Sequence, residues 1–137
     1  MKAKSIIFLG LLLILSCDKG DIKLVGSLEG TYKGIFFRSS PEVKYQTSNV
    51  ILVFDAHKFE GSGNITKYPA ICHGTYTLIG QEIEFTNLCP WTAEFDWSLI
   101  LSGKFKIEIN GDELVMTRSF GNIVDTYKIQ KQQLNIE

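Results

Sequence analysis

From Leu28 onward the apolar residues recur with a period of two, and this alternation constrains the fold more than any other feature of the chain. Leu28, Gly30, Tyr32, Gly34 and Phe36 alternate with Thr31 and Lys33, which places successive side chains on opposite faces of an extended strand rather than along one stripe of a helix. Residues 50–54 form a second run, apolar on both faces. Residues 59–65 follow a short turn at Ala56-His57, and 72–79 and 82–88 flank Gly80-Gln81. Residues 97–109 alternate throughout, by way of Leu99, Leu101, Gly103, Phe105 and Ile107. Asn110-Gly111 is a strong hairpin signal, because both residues accept positive φ. Residues 114–118 and 123–129 complete eight strands with no helical period among them. Sequential antiparallel strands on short turns predict an all-β, eight-stranded up-and-down barrel with no major helix. A two-sheet sandwich is the alternative.

The N-terminus reads as an export signal over residues 1–16. Lys2 and Lys4 are followed by an apolar run over residues 5–15, shorter than the roughly 20 residues that a membrane span requires. The run ends in Ile14-Leu15-Ser16-Cys17, which resembles the lipobox of bacterial lipoproteins and implies acylation of Cys17. The alternative is a plain secretory signal with an incidental cysteine. Residues 17–27 then form a polar tether, which at about 3.3 Å per residue reaches roughly 30 Å. The domain occupies 28–131, and 132–137 is a polar tail. The expected location is the cell envelope, anchored by lipid in the outer membrane and facing the periplasm or the surface.

Lipidation of Cys17 leaves Cys72 and Cys89 as a pair in a compartment where disulfides form. The Gly80-Gln81 turn predicts their geometry independently. Pairing outward from Ile79 opposite Glu82 brings Cys72 directly opposite Cys89, in a non-hydrogen-bonded pair with Cα atoms about 4.5 Å apart, within disulfide range. The same register sets Tyr76 against Phe85 and Leu78 against Ile83, with Thr75, Thr77, Glu84 and Thr86 on the opposite face. Two free buried thiols are the alternative.

Strand direction alternates, so connections segregate between the two barrel ends. The tight turns at Ala56-His57, Gly80-Gln81 and Asn110-Gly111 share one end with the tether and the C-terminus. The other end, expected to be the mouth, receives residues 39–47, 66–71, 90–96 and 119–122, bringing together Tyr45, Tyr68, Trp91, Phe95 and Phe120. Such aromatics either bind something or cap a core. Arg118 and Asp125 fall at inward positions near this end. A turn centred on Phe120-Gly121 sets Met116 opposite Asp125, with Arg118 diagonal to it. The pair reads as a polar handle in an apolar pocket or as a plug at a wet rim.

These residues resemble the lipocalin-like lipoproteins of Bacteroidetes and, more loosely, the calycins. The resemblance spans about 28–130 and rests on Leu28-Glu29-Gly30-Thr31-Tyr32-Lys33-Gly34, Tyr68-Pro69-Ala70-Ile71-Cys72, and Trp91-Thr92-Ala93-Glu94-Phe95-Asp96-Trp97. Tyr32 stands where lipocalins carry tryptophan, and Lys128 and Lys131 are the nearest basic residues to their usual terminal arginine. The resemblance implies a lipocalin-like barrel and names no ligand.

The remaining motifs exclude more than they assign. Removing Lys2 and Lys4 from the net charge of −1 leaves −3, which disfavours nucleic acid as a partner. His57 and His73 fall at opposite ends, so no metal cluster is read, and no cofactor motif is present. Glu94 and Asp96 read as solvated loop carboxylates rather than a catalytic pair. Asn64-Ile65-Thr66 matches a glycosylation sequon that carries little weight in a bacterial lipoprotein, and Lys104, Lys106 and Glu108 read as a solvated strand face. An enzyme is not expected. Two functions remain. The first is binding of a small apolar or amphipathic ligand at the open end by Tyr32, Phe36, Trp91, Trp97, Arg118 and Asp125. The second is a protein-binding envelope module, an inhibitor or accessory subunit, that uses the loop aromatics. A filled interior favours the second.

Overall fold

The computed structural model describes residues 26–134. Eight antiparallel strands close into a barrel in sequence order: β1 (Gly30–Ser39), β2 (Lys44–Asp55), β3 (Lys58–Gly63), β4 (His73–Ile79), β5 (Glu82–Asn87), β6 (Gly103–Asn110), β7 (Glu113–Phe120) and β8 (Ile123–Lys131). Closure comes from β1, which pairs with β2 on one side and with β8 on the other, from Tyr32 opposite Lys131 to Ser39 opposite Val124. The all-β, eight-stranded barrel expected from the alternation is the observed fold.

Alternation decides the wall. Inward positions are Tyr32, Phe36 and Arg38 on β1, Ser48, Val50, Leu52 and Phe54 on β2, and Leu114 and Met116 on β7, all buried. Aromatic rings fill the axis, with Phe36 against Tyr127 at 4.8 Å, Phe54 against Tyr76 at 5.2 Å, and Phe59 against Phe85 at 5.0 Å between ring centres. Edge-on and tilted contacts of this kind are favourable ring geometries. Gly34 permits the tight curvature, because a β-carbon there would collide with the Lys128 carbonyl oxygen of the adjoining strand. Gly74 does the same against the Thr86 carbonyl oxygen.

The β4–β5 register is the expected one, with Tyr76 opposite Phe85 and Leu78 opposite Ile83. Cys72 and Cys89 form a disulfide. Their Cα atoms stand 6.3 Å apart, wider than about 4.5 Å, because the regular ladder ends at Gly74 opposite Asn87. One further backbone bond, Leu88 N–H to the His73 carbonyl at 3.0 Å, precedes the cysteines.

Three expectations are corrected. The run 97–109 is not one strand: Trp97–Leu99 is a 3-10 turn and β6 starts only at Gly103. Asp96 caps that turn by accepting from Ser98 N–H, and Leu99, Ile100 and Leu101 are buried consecutively, as an inward-folding loop allows and a two-faced strand does not. The β7–β8 turn is Gly121-Asn122, with Gly121 at φ +58°, so Arg118 rather than Met116 lies opposite Asp125. Residues 44–47 of the expected 39–47 connection are strand, since β2 begins at Lys44 and its mostly polar first residues hide the extension.

The closed end is sealed around Tyr76. Its hydroxyl accepts from Leu28 N–H at 2.6 Å and donates to the Ala56 carbonyl at 2.5 Å, fixing the buried Leu28 across the barrel floor.

Candidate functional site

At the opposite end, two long connections fold over the barrel and meet. The β3–β4 and β5–β6 connections join through a parallel bridge between Ala70 and Ile100. Ala70 N–H donates to the Leu99 carbonyl and Leu101 N–H to the Ala70 carbonyl, both at 3.0 Å. Of the two roles expected for this end, binding or capping, the cap is the one observed.

A four-residue ionic network locks the cap. Arg38, continuing the inward alternation of Phe36, donates Nε and Nη2 to the two oxygens of Asp125 at 2.6 and 2.9 Å. Its Nη1 reaches Asp96 at 2.9 Å. Arg118 binds the same Asp125 at 3.0 Å and donates to the carbonyls of Ser102 and Ser98, both at 2.7 Å. Two cations therefore meet two anions, and the fork on Asp125 satisfies both oxygens, as a buried carboxylate requires. The rings of Phe105 and Phe120 lie 4.5 and 5.6 Å from the Arg118 guanidinium, and Phe120 lies 5.1 Å from that of Arg38, adding cation–π attraction.

The protonation states follow the geometry. Burial alone would lower the Arg38 pKa, but the hydrogen bonds and charges of Asp125 and Asp96 outweigh it and raise it. Asp96 is held below the usual carboxylate range chiefly by the Ser98 hydroxyl, which donates to it at 2.6 Å. Burial pushes the Tyr68 and Tyr127 phenols up, so both stay neutral.

Outside the cap, aromatics cluster on its solvent face. Trp91 packs on Phe95 at 5.6 Å and Phe95 on Trp97 at 6.5 Å. Lys67 Nζ lies 5.0 Å from the centre of the Phe95 ring. Trp97 is 55% exposed, with its indole N–H donated to the Thr92 carbonyl. Below it, a groove of about 520 Å³ is lined by Asn87, Cys89, Pro90, Trp91, Trp97 and Ile100. A second of about 520 Å³ has Val53, Phe59, His73, Gly74 and Leu88 in its lining. Both open on the outer surface.

The expected ligand-binding residues thus separate into four places. Trp91 and Trp97 lie on the cap's outer face, and Arg118 and Asp125 in the network beneath it. Phe36 packs in the interior against Tyr68 and Tyr127. Tyr32 lies near the closed end, where burial together with the charges of Asp112 and Glu29 raises its phenol pKa. Cys17 lies outside the described residues. Arg38 is absent from the residues expected from the sequence because the apolar alternation of the first strand stops at Phe36, although one further step of that alternation reaches it. Asp96, read as a solvated carboxylate, is 55% exposed yet bound to Arg38. His73 is exposed, and its ring meets both cysteine sulfurs. No family model, curated protein or solved structure matches the chain.

Proposed function

We propose that this protein is an envelope-anchored β-barrel module that recognises a protein partner with the aromatic face of its capped end. The filled interior carries this reading. Rings and aliphatic side chains occupy the barrel axis, and the Arg38, Asp125, Arg118 and Asp96 network holds the cap over it. A small ligand inside must displace these groups and leave buried charges unpaired, which costs several kcal/mol. The exposed Trp97, with Trp91 and Phe95 beside it, supplies instead the rigid aromatic anchors that dominate protein interfaces. The Cys17 anchor and its tether, read from the sequence, would hold that face away from the membrane.

A photo-crosslinking residue placed at Thr92 of the cap and, as a control, at Lys33 on the outer wall tests the proposal in membranes of the native host. A discrete protein adduct from position 92, absent from position 33 and lost with Trp97→Ala, is expected. Absence of that adduct, with a saturable change in tryptophan emission on titrating host lipids and small amphiphiles, overturns it in favour of ligand binding.

A further inference from the structure

We infer that Cys72, His73 and Cys89 form a redox-gated site for a thiophilic divalent cation such as Zn²⁺, closed while the disulfide is intact and opened by its reduction. The donor atoms of all three lie within 4.8 Å of one another. His73 Nδ1 faces both sulfurs, at 3.3 Å from Cys72 and 3.1 Å from Cys89. A tetrahedral centre with metal–sulfur bonds near 2.3 Å and metal–nitrogen bonds near 2.0 Å sets sulfur and nitrogen about 3.5 Å apart and two sulfurs about 3.8 Å apart. The sulfur–nitrogen edges are therefore close to their required length already. The sulfurs need only to part, as they do when their bond is broken.

Three contacts hold the ligands in place without the disulfide. Gly61 N–H donates to the Cys72 carbonyl at 2.8 Å, and Leu88 N–H to the His73 carbonyl at 3.0 Å. Asn87 Nδ2 donates to the Cys89 carbonyl at 2.8 Å. Both cysteines lie one residue or more beyond the β4 and β5 strand ends, so their side chains can separate without breaking the barrel ladder. His73 is exposed, which gives the ion a path in and leaves the fourth coordination position to water. Two thiolates and an imidazole are a donor set suited to Zn²⁺.

The chemistry balances in two steps. A dithiol reductant passes two electrons and two protons to the Cys72–Cys89 bond, giving two thiols and the oxidised cyclic reductant. The cation then displaces both thiol protons to solvent, forming two metal–sulfur bonds, with His73 Nδ1 donating its lone pair.

The test uses the full chain in detergent with Cys17→Ser, so that Cys72 and Cys89 are the only cysteines. Co²⁺ serves as the spectroscopic probe, and near-ultraviolet circular dichroism monitors the fold. The reduced chain is expected to bind one Co²⁺ with thiolate charge-transfer and tetrahedral ligand-field bands, to release it to Zn²⁺, and to weaken at least tenfold with His73→Ala. The oxidised chain is expected to give none of these bands. Equal binding by Cys72→Ser/Cys89→Ser, an adventitious ion only, overturns the inference. So does absence of the bands in the folded reduced chain, unchanged affinity in His73→Ala, or loss of the fold on reduction.

Discussion

Arg38 on β1 and Asp125 on β8 face each other across the seam that closes the barrel, joined by two hydrogen bonds of 2.6 and 2.9 Å. Both side chains are 1% exposed. The same carboxylate accepts from Arg118, and the same guanidinium reaches out to Asp96. One pair therefore ties the seam, the β7–β8 hairpin and the cap together.

Removing one partner strands the other as a buried charge, so Arg38→Ala should lower stability by about 3–5 kcal/mol. Arg118→Ala should cost less, because Arg118 is 19% exposed and Asp125 keeps its fork to Arg38. Urea unfolding of both variants measures this. A loss under about 1 kcal/mol for Arg38→Ala would show that the pair does not hold the seam.

Acid should loosen the cap. Asp96 has a folded-state pKa below its unfolded value, mainly through Ser98. Its contribution is therefore fully present above the unfolded pKa of about 3.9 and is lost as pH falls through the folded value. Tryptophan emission and the urea midpoint, followed from pH 6 downward, should change together in that window. Asp96→Asn should flatten the acid limb, and an unaltered limb would exclude Asp96 as its cause.

The Cys72–Cys89 bond closes a loop with a sequence separation of 17, and its reduction should cost about 3 kcal/mol by the chain-entropy estimate. Mass mapping of the unreduced, unfolded protein should find neither Cys72 nor Cys89 alkylated. Alkylation of both refutes the bond.

Cys17→Ala should move the protein from the membrane fraction to the soluble envelope fraction, since the basic start, apolar run and Ser16-Cys17 junction fit lipidation. Full retention of the variant in membranes is the outcome that excludes the anchor.

Strand alternation determined the architecture from sequence alone, because each strand of the wall has one buried and one wet face and a period of two records which is which. Tyr76 opposite Phe85 and the Cys72–Cys89 pairing were legible for the same reason, as a two-residue turn fixes every partner along its hairpin. Alternation reports only that a side chain faces inward, however, and not what it meets there. Arg38 meets Asp125 through the β1–β8 seam, across 87 residues of sequence. Leu99 and Leu101 keep a strand-like alternation while riding on a loop that folds over the mouth. The one-step misplacement of the Gly121-Asn122 turn shifted Asp125 from Arg118 to Met116. The capped end and its ionic lock belong to the tertiary structure, because each is made by groups from separate segments whose encounter no local pattern encodes.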